Sequence, residues 1–372
     1  MKAAFIERHG GPEVLKYGDL PDPTAAPGEV VIDIVAASVN GADWKVRVGD
    51  YKQAKFPYVL GRDFSGVISA VGAGVEDFRR GDAVFGVCEA GQEGAYAEKI
   101  AVKAAIVAKK PSSLSHVNAA ALALTGLTAL SAIEDTLKLK RGETILIQGG
   151  AGGVAGFAIQ LAKHIGARVI TTTSAANRDY VRGLGADEVI DYSTQDFTKT
   201  VSGVDAVFET VGGDVAMKSF AVLKPGGRAA FIASGAQAPS PDRSDVKSLR
   251  PPVRRERRAL ERIAELAQMG AVRPPAYRAH RRALRGRRHP PARDQALSVV
   301  GSRRRPSTER VAPLQGQARL PGALRSGALR SGALRSLCEG KGGTSPNRLA
   351  RRRHRLPSQR LEDPLNVCSN LN

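Results

Sequence analysis

The stretch Arg141–Ala167, RGETILIQGGAGGVAGFAIQLAKHIGA, decides the fold class of this chain. It opens with a short apolar run, Thr144–Ile147, which has the length and composition of a buried parallel strand. Glycines follow this run, and from Val154 onward apolar residues recur with the spacing of one helix face. A strand, a glycine turn and a helix in this order form the context that a dinucleotide-binding fingerprint requires.

The glycine turn fits the pattern G-x-G-x-x-G/A at Gly150, Gly152 and Ala155. In that pattern Gly150 allows a tight turn, Gly152 lets the backbone approach a pyrophosphate, and the small Ala155 lets helix and strand pack closely. The backbone N–H groups at the helix start, those of Gly153 and Val154, favour negative charge and can hold phosphates. We therefore predict a dinucleotide site here. The alternative is a glycine-rich turn without a ligand.

The residues that follow the second predicted strand, at 168–173, indicate which dinucleotide is bound. An NAD site places an Asp or Glu on the ribose about 20 residues past the glycines. Here Thr172, Thr173 and Ser174 bring hydroxyls, Asn177 and Arg178 follow, and no carboxylate appears in this stretch before Asp179. Arginine binds phosphate with a planar fork, which suits a 2′-phosphate, so we predict NADPH. Alternatively, Arg178 is only a solvated residue at a helix start.

The first 115 residues alternate short apolar strands with glycine and proline turns, which favours a small, partly open β-barrel. Its predicted strands span residues 29–39, 67–71, 83–87 and 96–102. A helix is predicted over 115–136. From residue 141 onward strands and helices alternate, as in a doubly wound parallel sheet of the Rossmann type. The strands of this part span 144–147, 168–173, 188–190, 206–209 and 228–232, and its helices span 154–165, 177–184 and 214–223.

The sequence also predicts where one part of the chain gives way to the next. A polar, proline-bearing loop is expected over 239–252, and an amphipathic helix over 254–269, which Gly270 ends. The predicted fold class is α/β, with a disordered basic tail after the second domain. The predicted divisions are a barrel domain, 1–118, a dinucleotide-binding domain, 119–249, a segment returning toward the barrel, 250–278, and the tail, 279–372.

The net charge of +20 is concentrated near the end of the chain. Residues 1–245 carry 26 basic and 28 acidic side chains, whereas residues 246–372 carry 30 basic and 8 acidic ones. The tail is rich in Arg, Pro and Gly, contains three consecutive GALRS units over 322–336, and sustains no helix or strand period.

Two interpretations of this Arg-rich tail remain open. One is a reading-frame shift in a GC-rich gene, and translating the gene in its other two frames after about codon 278 would reveal the closing strand of an intact fold. The other is a basic arm for nucleic acid or anionic lipid. Beyond Tyr277 the chain has no Phe, Tyr or Trp, so a stacking platform for single strands is absent and nucleic acid is disfavoured.

Cysteine content and hydropathy indicate a cytoplasmic protein. The three cysteines, Cys88, Cys338 and Cys368, form neither a metal-ligand spacing nor an even disulfide set. The first 15 residues lack the basic start and apolar core of a signal peptide. The longest nearly apolar stretch, 119–133, is shorter than the roughly 20 residues that a membrane-spanning helix needs, so no membrane span is expected.

Several local motifs, taken in order, resemble the medium-chain dehydrogenase/reductase superfamily, in its zinc-independent quinone oxidoreductase (zeta-crystallin-like) branch. The resemblance runs from Met1 to about Tyr277 and implies a GroES-like barrel followed by a Rossmann domain. The motifs that carry it are NGADWKVRVGDY at 40–51, LGRDFSG at 60–66, LTGLTA at 124–129, GADEVIDY at 185–192, FETVGG at 208–213 and LKPGG at 223–227.

The resemblance implies roles for individual residues and a homodimer. Asn40 would donate a hydrogen bond to a developing oxyanion or orient the nicotinamide, with a loop-bonding residue as the alternative. Tyr51 would donate a proton, with a ring that lines the pocket as the alternative. Asp43 and Arg47 would pair structurally at i, i+4. The implied cofactor contacts are Thr128, Tyr192, Val211, Gly212 and Ser234. The alternatives are that Thr128 is a simple helix residue and Tyr192 a surface aromatic.

The chain departs from the zinc-bearing alcohol dehydrogenases of the superfamily, which hold a catalytic zinc with a Cys in the first motif and a His-Glu pair in the second. Here Asn40 stands in place of that Cys, and Arg62 and Asp63 in place of His-Glu. We therefore predict no metal, and an acceptor that takes hydride without a Lewis acid, namely a quinone or an α,β-unsaturated carbonyl. The alternatives are an enoyl-thioester reductase and a protein that binds NADPH or nucleic acid without turnover.

Overall fold

In the computed structural model, the first 110 residues form mainly short strands. The structure describes residues 1–50, 55–234, 237–252 and 256–274, and the backbone of 298–301. The elements of the first part are β1 Lys2–Ile6, β2 Lys16–Asp19, β3 Glu29–Val39, α1 Gly41–Val48, β4 Tyr58–Val59, β5 Asp63–Val71, β6 Ala83–Val87, β7 Lys99–Lys103 and β8 Val107–Lys109.

These strands form two sheets in the described part of the chain. The long strand β3 pairs antiparallel with β5 and β7, and β5 leads through β6 to β8, while β1 lies between β2 and β4. Apolar side chains such as Ile32, Phe64 and Val84 are fully buried between the strands. Their burial stabilises the predicted barrel because it removes apolar surface from water. The GroES-like architecture predicted from the sequence is thus confirmed.

The second part alternates strand and helix. Its elements are α2 His116–Leu130, β9 Thr144–Ile147, α3 Gly153–Ile165, β10 Arg168–Thr173, α4 Arg178–Gly183, β11 Glu188–Asp191, α5 Phe197–Thr200, β12 Val204–Glu209, α6 Asp214–Lys218, β13 Leu223–Phe231, β14 Lys247–Leu249 and α7 Arg257–Gln268. Among the described residues these strands form a parallel sheet in the order β11-β10-β9-β12-β13-β14. Counted along the chain this is the order 3-2-1-4-5-6 of a Rossmann sheet, which confirms the predicted fold class.

Helix α2 joins the two parts. It packs against β3, β5 and β6 on one side and against α3 and α7 on the other. Gly126 allows the close approach, because a Cβ there would lie 2.7 Å from Ile263 Cδ1 and 3.2 Å from Phe157 Cε2. With the π-helical turn at Ser131–Thr136 the helix runs for 21 residues, long and apolar enough to cross a membrane by length and composition alone. The apolar stretch 119–133 is the middle of this helix, whose predicted span is 115–136. Of the most apolar part of the helix, 72% is buried in the protein, so packing accounts for its apolar surface.

Two predicted segments differ from the structure. The polar loop expected over 239–252 contains β14, the sixth strand of the sheet. Arg243 holds this segment against the preceding strand, because its Nη1 donates to the carbonyls of Phe220 and Leu223 at 3.1 and 2.9 Å. The helix expected over 214–223 ends at Lys218 and continues as a 3₁₀ turn, Ser219–Val222. The strand β14 has only three residues, which is too short a pattern for sequence analysis to detect.

The basic tail contributes a strand that the sequence does not predict. Ser298–Gly301, β15, pairs in parallel with β3, with Ser298 opposite Ala36 and Gly301 opposite Val39. The expectation that the tail adds no ordered element to the barrel is therefore wrong for these four residues. Residues 279–297 and 302–372, on which the rest of that prediction falls, lie outside the described residues. The domain boundaries given above stay predictions.

Candidate cofactor site and active site

The glycine turn lies at the carboxyl end of β9, where the strand order of the sheet reverses between β9 and β12. Gly149 adopts the left-handed conformation, φ +70°, so this residue and not Gly150 makes the tight turn. Gly150 is instead required by packing, because a Cβ there would lie 2.2 Å from Thr171 Oγ1. A Cβ on Gly152 would meet only the Gly149 carbonyl oxygen, at 3.3 Å. The space above Gly152 is thus open to a ligand.

One side chain of β10 fixes the position of this turn. The Thr172 hydroxyl accepts from the Gly149 N–H at 3.0 Å and donates to Gln148 Oε1 at 2.7 Å, and the Thr172 carbonyl accepts from the Gly150 N–H at 2.9 Å. Thr172 is buried, so these bonds are shielded from water. The hydroxyl is therefore committed to the turn. Sequence analysis cannot detect this role, because Thr172 fits a phosphate contact equally well.

The residues predicted to bind a 2′-phosphate come together at the ends of β10 and β11. Asn177 Nδ2 donates to Ser174 Oγ at 3.2 Å, and the Tyr192 backbone N–H donates to the Thr173 carbonyl at 3.2 Å. The Tyr192 side chain is 64% exposed. Arg178 begins the adjacent helix α4. The corner thus offers hydroxyl, amide, aromatic and cationic groups side by side.

A carboxylate also lies at this corner, on the third strand. Asp191 is opposite Thr173 in the sheet register. Ser193 donates to Asp191 Oδ1 from its backbone N–H at 3.0 Å and from its hydroxyl at 2.7 Å. These bonds, and next the charge of Arg178, hold the pKa of Asp191 below its usual range. Asp191 is therefore an ionised partner of Ser193 in the sheet.

The loop after β12 carries the predicted contacts Val211 and Gly212. Their backbone N–H groups both donate to the buried carboxylate Glu209, at 2.5 and 2.8 Å to the same oxygen. Gly212 has φ +83°, and a Cβ there would lie 2.7 Å from the Ala233 carbonyl oxygen. Glu209 therefore shapes this loop. Ser234 follows Ala233 after the end of β13. Its buried hydroxyl has no hydrogen-bond partner among the described residues.

Helix α2 brings Thr128 toward the barrel. The Thr128 hydroxyl donates to the Leu124 carbonyl at 2.8 Å, one turn earlier. The Leu124 backbone favours the charged form of the nearby Asp63 carboxyl, at the start of β5. The helix that bears a predicted nicotinamide contact therefore packs against the barrel strand that follows the second motif.

Asn40 begins α1 and is held by two neighbours. Its backbone N–H donates to Asp43 Oδ2 at 2.7 Å, and its Nδ2 donates to Ser38 Oγ at 3.3 Å. The Tyr96 hydroxyl donates to the same oxygen of Asp43, also at 2.7 Å. The predicted pairing of Asp43 with Arg47 is wrong, because Arg47 Nε donates instead to the Gly10 carbonyl at 3.3 Å. The partner of Asp43 is therefore Tyr96, 53 residues further along the chain, and not Arg47.

Two buried carboxyl groups lie beneath Asn40. Burial raises the pKa of Asp63 to about 7, against the hydrogen bonds from Ser38 and Asn40 that favour its charged form. Burial likewise raises the pKa of Asp43 to about 6, against the bonds from Asn40 and Tyr96. In both groups the loss of hydration outweighs the hydrogen bonds. Asp63 is therefore about half protonated near neutral pH.

The residues at the positions of the family's zinc ligands do not form a metal site. Arg62 Nη2 lies 2.8 Å from Glu93 Oε1, and both side chains are almost fully buried, at 2% and 1% exposed. An amide, a paired guanidinium and a carboxyl do not make the Cys and His set that zinc prefers. Among the described residues no group of three or more His, Cys, Asp or Glu side chains could hold a metal ion. Tyr51, the predicted proton donor, lies outside the described residues.

Comparison with known proteins agrees with this fold. The family model for the alcohol dehydrogenase GroES-like domain matches residues 26–112, and that for zinc-binding dehydrogenases matches residues 153–267. A quinone oxidoreductase structure from Coxiella burnetii is 33% identical, with a TM-score of 0.68, and the match covers 73% of this chain and 89% of that one. The chain belongs to the medium-chain dehydrogenase/reductase superfamily, in its zinc-independent quinone oxidoreductase branch.

Curated relatives match over the same part of the chain. A 2-methylene-furan-3-one reductase of Solanum lycopersicum is 38% identical over 251 residues, which are 64% of this chain and 63% of the relative. An NADPH-dependent alkenal/one oxidoreductase of Arabidopsis thaliana is 36% identical over 250 residues, 64% of each chain. The chain thus spans slightly less than two thirds of the length of these relatives.

Proposed function

We propose that this chain is an NADPH-dependent, zinc-independent oxidoreductase that reduces quinones or α,β-unsaturated carbonyl compounds. The observation that carries the proposal is the open space above Gly152, at the switch point of a Rossmann sheet, in a turn that Thr172 holds in place. The names of the relatives from Coxiella burnetii, Solanum lycopersicum and Arabidopsis thaliana support the choice of acceptor.

Each part of the site has a task in this reaction. NADPH, when bound, supplies the hydride, and the acceptor takes up one proton to complete the two-electron reduction. The N–H groups at the start of α3 hold the diphosphate. Thr128 on α2 contacts the nicotinamide side of the site. The Asn40 amide donates a hydrogen bond to the acceptor oxygen, on which negative charge develops as hydride arrives.

Quinones and enones suit these residues because charge that arrives at carbon delocalises onto oxygen. A hydrogen-bond donor such as Asn40 is then sufficient, and the protein mainly has to orient the reactants in a dry cleft. The direct test is NADPH consumption by the purified chain against a panel of quinones, enones and enoyl thioesters. No turnover on the whole panel, with NADPH bound, would leave a binding protein as the function.

The enzyme should prefer NADPH to NADH, and Arg178→Ala should remove most of that preference. The lost charged contact with the 2′-phosphate is worth about 1.5–3 kcal/mol, or roughly 10- to 100-fold in Kd. Affinity for NADH should stay the same, since NADH has no 2′-phosphate. Nucleotide fluorescence titrations measure both constants. The exposed Arg182, one turn later on α4, offers the control variant Arg182→Ala. Equal or tighter NADH binding by the wild type would refute the assignment.

Activity should not depend on a metal. Arg62 is paired with Glu93 and Asn40 is bonded to Ser38, so neither is placed to ligate zinc. Exhaustive dialysis against a chelator should leave kcat unchanged, and added zinc should not raise it. A chelator-induced loss that zinc restores would contradict this reading of the site.

We also propose that the protein works as a homodimer in the cytoplasm. The buried Cys88 forms no disulfide among the described residues, which suits a reducing compartment. Light scattering of the purified chain tests the dimer, and fractionation of the source cells tests the location.

A further inference from the structure

A chain of hydrogen bonds beneath Asn40 fixes the direction of its carboxamide. Asn40 Nδ2 donates to Ser38 Oγ at 3.3 Å, and Ser38 Oγ donates to Asp63 Oδ2. An amide nitrogen only donates, so the Ser38 hydroxyl accepts from Asn40 and gives its own hydrogen to Asp63. We propose that Ser38 and Asp63 are positioning residues that hold the Asn40 amide in the rotamer needed to bind the acceptor oxygen. This inference rests on the proposed function.

The two inner members of this chain are fixed by the sheet. Ser38 and Asp63 are cross-strand partners in the antiparallel pair of β3 and β5. They are only 3% and 0% exposed. If Ser38 rotated away, a buried hydroxyl and a buried carboxyl oxygen would both lose a partner, which is unfavourable. The serine hydroxyl is thus a rigid support for Asn40.

The backbone of Asn40 is held separately from its side chain. Its N–H donates to Asp43 Oδ2, whose other donor is the Tyr96 hydroxyl, both at 2.7 Å. These contacts define where Asn40 lies, whereas its side-chain interactions with Ser38 and Asp63 define how its amide is turned. Loss of Ser38 should therefore leave the residue in place and loosen only its side chain.

The strands that bear Ser38 and Asp63, β3 and β5, also pack against α2, the helix that carries Thr128. The orientation of Asn40 is thereby set relative to the helix that contacts the nicotinamide in the proposed complex. A positioning role follows, because hydride transfer depends on the alignment of acceptor and cofactor.

The test compares Ser38→Ala with Ser65→Ala, another buried serine of the same sheet. Ser65 Oγ donates to the Val84 carbonyl and lies 2.8 Å from His116 Nδ1, with no link to Asn40. We expect Ser38→Ala to lower kcat about 10- to 100-fold, as a misplaced donor does, and to leave the Kd of NADPH unchanged. Ser65→Ala should keep kcat within about twofold. Equal losses of kcat in the two variants would overturn the proposal.

A double-mutant cycle separates positioning from general stability. If Ser38 acts through Asn40, Ser38→Ala should have no further effect on kcat in an Asn40→Ala background. If Ser38→Ala lowered kcat by the same factor in the wild type and in Asn40→Ala, the proposal would be overturned. Should Ser38→Ala not fold, Ser38→Cys serves in the same cycle, because it keeps the volume and replaces the hydroxyl with a weakly bonding thiol.

A measurement without turnover distinguishes this inference from the proposed function. In ¹⁵N spectra of the free protein, the side-chain amide signals of Asn40, assigned by their loss in Asn40→Ala, should shift in Ser38→Ala and not in Ser65→Ala. Unchanged signals in Ser38→Ala would overturn the positioning role. A wild-type chain that binds NADPH and reduces no acceptor would overturn the proposed function, while the amide shift would still decide the role of Ser38.

Discussion

Gly152→Val should abolish NADPH binding in a chain that stays folded. Gly152 has φ −75° and ψ 157°, a conformation that valine adopts readily, and a side chain there meets only the Gly149 carbonyl within the protein. The valine would therefore occupy the space of the diphosphate and not that of another residue. Loss of two charge-assisted hydrogen bonds, about 1.5–3 kcal/mol each, weakens binding roughly 100-fold or more. Fluorescence titration and circular dichroism measure the two properties separately.

The control for this variant is Gly150→Ala, two residues earlier. A Cβ at Gly150 would lie 2.2 Å from Thr171 Oγ1 and 3.1 Å from Ile159 Cδ1. Overpacking of this kind costs about 1–3 kcal/mol, so the variant should lose thermal stability first and binding only as a consequence. If Gly152→Val folds and binds NADPH as tightly as the wild type, the cofactor does not sit on this turn.

The parallel sheet could be predicted because its signals are local. The bounds predicted for β9 and β10 match the structure, since buried parallel strands are continuous apolar runs between turn residues. The strands β4 and β14, of two and three residues, escaped prediction because so few residues establish no period. The tail strand β15 escaped for a further reason, since its partner β3 lies more than 250 residues earlier in the chain.

Of the candidate site, the sequence predicts the motif residues but not the residues that hold them in place. Motifs along the chain indicate Asn40, Gly152 and Thr128. Asn40 lies at a helix start, Gly152 between a strand end and a helix start, and Thr128 in a helix turn. The residues that hold them lie far away in sequence, as Tyr96 does from Asp43 and Thr172 from Gly149. Such contacts depend on strand register, which a single sequence does not specify, so the supporting network emerges only from the folded chain.

The largest expected effect on stability comes from the ion pair that stands where zinc relatives bind their metal. Glu93 accepts from Arg62 Nε at 3.0 Å and lies 2.8 Å from Arg62 Nη2, and its other oxygen accepts from the Tyr58 hydroxyl and from the Gly91 N–H at 3.0 Å. Glu93→Gln keeps the shape of the side chain and removes its charge. The Arg62 guanidinium then stays buried without its counter-charge, which costs about 3–5 kcal/mol.

Glu93→Gln should therefore lower the free energy of unfolding by that amount and the Tm by on the order of 10 °C, as measured by urea and thermal denaturation. The matched control is Glu188→Gln, which breaks the ion pair with Arg168 at 2.8 Å. Both partners of that pair are largely exposed, at 56% for Arg168 and 40% for Glu188, so water replaces the lost contact and Tm should hardly change. Equal, small effects of the two substitutions would mean that Arg62 remains well solvated in the folded chain. A large loss of Tm in Glu93→Gln and almost none in Glu188→Gln is the result we expect.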